Sequence, residues 1–352
     1  MDKLRMAIIG SGQIARVTHI PNYQSMEDVE LVGICDTNPD AAKTVAEQFG
    51  IGRYFGSHLE MLNELHPDAV TICVPNKFHC QITLDALNAG CHVLCEKPPA
   101  ITVQEAEAME QKAGEENLLL SYGFHFRHSE QTAFLKKKIQ AGDLGTVYNT
   151  SVQWHRRRGI PGWGNFTNKA LQGGGPLIDI GAHMLDCALY LLGYPQISYV
   201  CASSSDRIGK RGGQGLMGKW DAGRFSVEDG LFGFIRFADG TSMSLETSFA
   251  INRKERDLRK IQLFGDKLGA NVFPLELYGM EQGQLIDQSF PFMEIRDWHK
   301  DSEENFVKAC LGKEPLLVTA WQGTYVQRVI GALYKAAESG MPYIWQEKLT
   351  DR

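Results

Sequence analysis

No run of about 20 apolar residues, the length a bilayer requires, occurs anywhere in these 352 residues. The eight cysteines are scattered, with neither a C-x-x-C pair nor the Cys/His spacing of a zinc site, which argues against a metal knuckle or a disulfide scaffold. Basic charge is short as well. Lys and Arg number 36 against 42 Asp and Glu, and the resulting net charge of −6 argues against a general nucleic-acid or anionic-membrane binder. A small anionic ligand is compatible with that balance, because it responds to the local field. There is no internal repeat and no low-complexity tract. The N-terminus opens almost at once on a strand, without a leader-like apolar segment. The expectation is a cytoplasmic protein with reduced thiols, no metal, and no nucleic-acid or membrane partner.

What the sequence does have is alternation. From Leu4 to about Gly123, short apolar runs at Met6–Ile9, Leu31–Cys35, 69–74, His92–Cys95 and 118–122 predict strands. Amphipathic helices start between them near Gln13, Pro39, Ser57, His79 and Thr102. Ser57 with Glu60, and Thr102 with Glu105, have capping-box spacing. This β-α-β rhythm predicts an α/β Rossmann domain with a parallel sheet over residues 1–124. After Phe126 long strands dominate, at 146–155, 197–204, 229–237, 241–249 and 259–264, with Ala238-Asp239-Gly240 as a hairpin turn. Residues 125–352 therefore read as an α+β C-terminal domain with a mainly antiparallel sheet. The last helices, near 302–311 and 319–339, are able to cross back to the first domain. The Gly- and charge-rich stretch 206–225 reads as a surface loop or lid.

Three local patterns carry chemistry. Gly10-Ser11-Gly12-Gln13-Ile14-Ala15 fits the G-x-G-x-x-G/A turn between a strand and a helix, where small residues admit a pyrophosphate and the helix N-terminus attracts it. A plain tight βα turn is the alternative. Asp36 ends the next strand where an acid meets an adenosine ribose; capping the helix at Pro39 is its other reading. Its carboxylate would repel a 2′-phosphate, and Thr37-Asn38 supplies no arginine, so NAD is preferred over NADP. Lys97 ends a parallel strand at the ligand-binding edge, and Pro98 holds it extended. Finally, Gly173-Gly174-Gly175 precedes a helix on which Asp179 and His183 are one turn apart, with Asp186 continuing the face. The helix dipole favours ionised Asp179 and a neutral His183, which is what a general base requires. An acidic cap beside a core histidine is the alternative.

Taken together, the glycine turn, Val74-Pro75-Asn76 followed by His79, Glu96-Lys97-Pro98, the glycine-rich approach to Asp179 and His183, and Phe237-Ala238-Asp239-Gly240-Thr241 closely resemble the Gfo/Idh/MocA family of glucose–fructose oxidoreductase-like and inositol dehydrogenase-like enzymes. The likeness spans nearly the whole chain. It implies a Rossmann domain followed by a substrate-binding and oligomerisation domain with a large open-faced sheet, catalysis by Lys97, Asp179 and His183, and a dimer or tetramer formed through the sheet face. It also implies that Pro75, Asn76, His79, Glu96 and Lys97 line the cofactor, and that the Lys97–Pro98 peptide is cis. Usual substrates in the family are sugars, cyclitols and their derivatives. Two departures lie on the substrate side: Ser129, where proline is frequent, and the basic run Trp154-His155-Arg156-Arg157-Arg158.

The resulting expectation is an NAD-dependent oxidoreductase that transfers a hydride between a secondary hydroxyl of a sugar or cyclitol and nicotinamide. A redox-neutral glycoside-cleaving enzyme with retained NAD, or a non-catalytic ligand sensor, are the alternatives. Gly10, Ser11, Gly12, Gln13, Ile14, Asp36, Val74, Pro75, Asn76, His79, Glu96 and Lys97 are expected at the cofactor. Arg127, Trp154, His155, Arg157 and Trp163 are expected at the substrate with Asp179 and His183. The tryptophans would face the apolar side of a sugar ring, and one of Arg156, Arg157 and Arg158 would fork onto a polar substrate group.

Overall fold

Six short apolar segments pair side by side in the computed structural model, which describes residues 3–345. They are β1 (Leu4–Ile9), β2 (Val29–Cys35), β3 (Tyr54–Phe55), β4 (Ala69–Ile72), β5 (His92–Cys95) and β6 (Leu120–Tyr122). Their order is β3-β2-β1-β4-β5-β6, and every pairing is parallel. Four-residue runs such as Ala69–Ile72 are buried on both faces, as helices on either side of a parallel sheet require. The order reverses between β1 and β4, so the loops after these strands diverge and leave a crevice at their carboxyl ends.

The helices follow local chemistry. Asn38 caps Pro39–Phe49 through its side chain, and Thr102 forms a complete capping box with Glu105. The box expected at Ser57 is not made: that side chain makes no cap bond to the helix His58–Leu65. The helix Trp298–Cys310 groups with this sheet, because Phe306 and Val307 bury themselves among Leu4, Ile20, Tyr23 and Ile34. By backbone contacts, the first unit comprises the residues up to His125 together with Asp297–Gln327. The second comprises Phe126–Arg296 and the residues from Arg328 on.

The second unit is built on longer strands: β7 (Val147–Arg156), β8 (Ile197–Ser205), the isolated hairpin of β9 (Gly213–Gly215) and β10 (Gly218–Trp220), β11 (Gly230–Phe237), β12 (Ser242–Ser248), β13 (Asp257–Gly265), β14 (Gly269–Asn271), β15 (Glu276–Glu281), β16 (Gln284–Ser289) and β17 (Tyr343–Ile344). Nine of them form one sheet in the order β16-β15-β14-β13-β7-β12-β11-β8-β17. Only β7 and β12 pair parallel. One face is covered by the almost wholly buried helix Ala182–Leu192. The other face exposes Tyr148, Phe232, Phe234 and Phe264, so the sheet is open-faced. The helical stretch Lys169–Leu192 is long and apolar enough to cross a membrane by composition, but 83% of its most apolar window is buried inside the protein, as for a core helix.

Besides the Ser57 cap and the unread short strands β3 and β17, the second unit adds detail to the sequence reading. Strands β14 to β16 were not predicted, since most of their side chains, as in Gln284–Ser289, are polar or exposed and leave no apolar period to detect. The stretch 206–225 is a mostly exposed surface loop, as read, but it is anchored at several points. Trp220 and Phe225 are buried, and the backbone of Leu216 and Met217 bonds to Arg158 and Gly162. The helix expected from Pro176 opens instead as a π-helix, Leu177–Gly181, before continuing as an α-helix. Gly181 permits this close seating, because a Cβ there would lie 2.7 Å from the Thr247 methyl on β12.

Candidate active site

In the first unit the carboxyl ends of β1, β2, β4 and β5 present the expected cofactor residues along one edge. Gly10 has φ +104°, and a Cβ on it would come within 2.4 Å of the Cys73 carbonyl oxygen, so only glycine fits the turn. Gly12 meets nothing within 4 Å and leaves its backbone open to a ligand. Beside it runs a cleft of ≈ 440 Å³ lined by Ser11, Gly12, Gln13, Arg16, Val17 and Gln48. Ser11 donates from both its backbone N–H (2.9 Å) and its hydroxyl (2.8 Å) to Asp36 Oδ2, while Asp36 Oδ1 accepts from the Asn38 N–H at 2.9 Å. Asp36 is thus oriented at the end of β2, half-buried, as a ribose-binding acid needs to be. This glycine cradle, open cleft and fixed acid fit a dinucleotide.

Val74, Pro75, Asn76, Glu96 and Lys97 are half-buried beyond β4 and β5, and the Lys97–Pro98 peptide is cis. His79 is fully buried, with Nδ1 2.8 Å from the Pro98 carbonyl and Nε2 3.0 Å from that of Val74, and so ties the two loops together.

In the second unit Asp179 and His183 lie where the glycine loop enters the core. Between Gly174 and Leu189, Asp179 is the one residue that is not buried, so an acid points outward from an otherwise internal helix. His183 is 6% exposed and packs against Phe126 (ring centroids 5.3 Å) and Trp154 (6.4 Å). The Arg156 guanidinium stacks on Trp154 at 5.3 Å; burial lowers its pKa, and the charges of Asp179 and Asp257 oppose that shift. Arg259 covers the same ring from the neighbouring strand, 5.0 Å from its centroid, and Trp154 Nε1 donates to Asp257 at 3.0 Å. Two guanidinium groups held over one aromatic ring, beside a histidine and the one partly exposed acid of the helix, can donate to a polyhydroxylated ring and move a proton on it.

Behind this surface the glycine loop is gripped. Glu228 accepts from the Gly175 N–H (2.9 Å), the Leu177 N–H (3.3 Å) and the Tyr334 hydroxyl (2.8 Å). Burial raises the Glu228 pKa, and these three donors counter it. A Cβ at Gly174 would lie 2.0 Å from the Tyr334 oxygen, which explains the second glycine of the loop.

Three expected substrate residues, Arg127, His155 and Arg157, are engaged within the protein. Arg127 is 1% exposed and forms a two-point pair with Asp186 (2.8 and 2.5 Å), under the rings of Tyr190 and Tyr194; it belongs to the core. Asp186, read from sequence as extending the catalytic face, is its counter-ion. His155 follows Trp154 in a strand, so it points through the opposite sheet face, towards Arg253 (2.7 Å) and Phe232. Arg157 and Arg158 donate to the carbonyls of Lys254 and Ile251, leaving Arg156 as the arginine of that run at Trp154. Trp163 is 47% exposed in a loop. Ser129 caps the helix Glu130–Gln140, accepting from the Thr132 N–H, a local role that accounts for the departure from proline. Arg259, Asp257, Glu228 and Tyr334 were missed, since only strand register and tertiary packing bring them to the site.

Comparison with known proteins agrees with both halves. The family model for the NAD-binding Rossmann fold of this oxidoreductase family matches residues 4–124, and the model for its C-terminal alpha/beta domain matches 136–344. The chain belongs to the Gfo/Idh/MocA oxidoreductase family. This is an NAD-binding family that includes sugar dehydrogenases. The chain is 43% identical over 337 residues, 96% of each protein, to D-glucoside 3-dehydrogenase of Escherichia coli strain K12. Among solved structures it resembles aldose-aldose oxidoreductase from Caulobacter crescentus, complexed with glycerol (TM-score 0.81, 26% identity, 97% and 100% of the two chains). Its fold is also that of a levoglucosan dehydrogenase in complex with NADH and levoglucosan (TM-score 0.84, 21% identity, 97% and 99% covered).

Proposed function

We propose that this Gfo/Idh/MocA protein is an NAD-preferring dehydrogenase of a pyranoside secondary hydroxyl, with a D-glucoside as the first substrate to test. The observation that carries the reading is the outward Asp179 with His183 against Trp154, in a chain 43% identical to a D-glucoside 3-dehydrogenase. When bound, the nicotinamide would accept the hydride. His183 takes the hydroxyl proton from its place against Phe126 and Trp154. Asp179 orients the imidazole and the sugar, and Lys97 polarises the reacting oxygen. Trp154 holds Arg156 and Arg259 in place, and these donate to the sugar hydroxyls. Asp36, already aimed by Ser11, selects the ribose 2′-hydroxyl over a 2′-phosphate. The open sheet face with Phe232 and Phe234 serves self-association into a dimer or tetramer.

A panel of glucosides, free aldoses and cyclitols, each offered with NAD and with NADP, tests this by the appearance of reduced cofactor. Turnover of glucosides with NAD is the expected outcome. Turnover confined to cyclitols, or to NADP, overturns the assignment.

A further inference from the structure

The segment after the glycine turn winds as a π-helix, Ala15–His19, and delivers His19 into the interior at 3% exposure. There its ring lies between two carboxylates. Nδ1 is 2.6 Å from Glu303 and Nε2 is 3.0 Å from Glu96. Both acids are sheltered, with side chains 2% and 13% exposed. Glu303 comes from the helix Trp298–Cys310, nearly 300 residues away in sequence, whereas Glu96 immediately precedes Lys97. The second oxygen of Glu96 accepts the Lys97 backbone N–H at 3.2 Å and faces Gly123, where a Cβ would crowd it at 2.9 Å.

Both ring nitrogens of His19 face carboxylate oxygens, and carboxylates only accept, so only the doubly protonated ring satisfies both. We infer that His19 is a positioning residue, a buried imidazolium that clamps Glu96 between the dinucleotide turn and the C-terminal helix and thereby fixes the backbone of Lys97. The inference rests on the reading that Glu96 and Lys97 adjoin the cofactor. It gives the returning helix a task beyond filling the core, since Glu303 is the second counter-ion that keeps the ring charged.

The groups facing His19 are Glu96 from the end of β5, Glu303 and His299 from Trp298–Cys310, and Tyr23, whose ring stacks on it; Lys97, His125, Cys73 and Cys310 act on these neighbours one step further out. Burial lowers the pKa of His19, but hydrogen bonds and charge from Glu303 and Glu96 outweigh it and carry the value up to about 10. Burial likewise raises that of Glu96, and His19 overrides it, bringing the value to about 2. The signs follow. The His19 contribution to stability is complete below its ordinary 6.5 and is lost as pH rises through about 10. The Glu96 contribution is complete above its ordinary 4.5 and is lost as pH falls through about 2.

Two measurements on the full-length protein test this. Ring ¹⁵N spectra at pH 8 should show, with and without NAD, one of the ten histidines doubly protonated, its signal lost in His19→Gln; the absence of such a signal overturns the inference. Glu303→Gln removes the remote counter-ion and should lower the His19 pKa towards neutrality. Its kcat should then fall by about 10–10²-fold as pH rises from 6.5 to 9.5, the scale expected when a remote change misplaces a reacting group. A Glu303→Gln profile that parallels wild type, at whatever reduced stability, also overturns it. The underlying reading fails separately, if Lys97→Ala keeps its activity. An inactive Lys97→Ala variant together with a wild-type profile for Glu303→Gln leaves the reading standing and removes only the role of His19.

Discussion

The two units solve opposite problems with charge. In the first, the functional carboxylates are tied to the protein itself: Asp36 by Ser11 and Asn38, Glu96 by His19. In the second, the buried charges are segregated from the reactive surface. Arg127 and Asp186 satisfy each other in the core, while Arg156 and Arg259 lie over the Trp154 ring. The contrast is physical. A cofactor of fixed shape rewards a rigid, pre-bonded edge, and variable sugar hydroxyls reward donors still available to them.

The largest effects should come where that contrast meets chemistry. Lys97→Ala and His183→Ala should each lower kcat by about 10²–10⁴-fold, with NAD affinity from fluorescence titration nearly unchanged. A His183→Ala variant at near-wild-type kcat would remove it as the base. Next, Arg127→Ala strands Asp186 in the core and should cost about 3–5 kcal/mol in denaturant unfolding. If it instead raises KM in a protein of unchanged stability, Arg127 belongs with the substrate side after all. Asp36→Ala should weaken NAD binding by about 1.5–3 kcal/mol and relax the discrimination against NADP. An unaltered NAD to NADP preference would remove Asp36 from the cofactor site. The smallest difference lies between two similar-looking helix starts. Thr102→Ala should lose about 1 kcal/mol by thermal or chemical denaturation, and Ser57→Ala close to none, because only Thr102 makes the cap bonds. Equal losses would show that the Ser57 hydroxyl caps its helix in solution.

Much of the first unit was legible because its signals are local. A glycine turn, a capping residue and an apolar run are each read within a few positions, and five of the six Rossmann strands fall within a few residues of expectation, the two-residue β3 (Tyr54–Phe55) being too short to read. The second unit was legible only in part. Alternation in β7 was visible, yet the identity of the inward face was not, so His155 was grouped with Trp154 although the two diverge. Arg259 reaches Trp154 through strand register, and Glu228 reaches the glycine loop through tertiary packing, and neither leaves a trace in spacing. The pairing of His19 with Glu303 across 284 positions was equally invisible. Arg127 shows the converse failure. Its charge suggested a ligand contact, but burial and a partner 59 residues on decided its place.

The thiols close on a practical consequence. Cys35, Cys73, Cys91, Cys95 and Cys187 are buried, and burial pushes each of their pKa values up, so at neutral pH they remain protonated and poorly nucleophilic. Four of them sit in or beside the parallel sheet and one in the helix that carries His183. Alkylating reagents can reach them only when the surrounding layer opens. The rate at which each becomes labelled is therefore a clock for breathing of its own layer, one that needs no engineered probe and reads the two halves of the molecule separately.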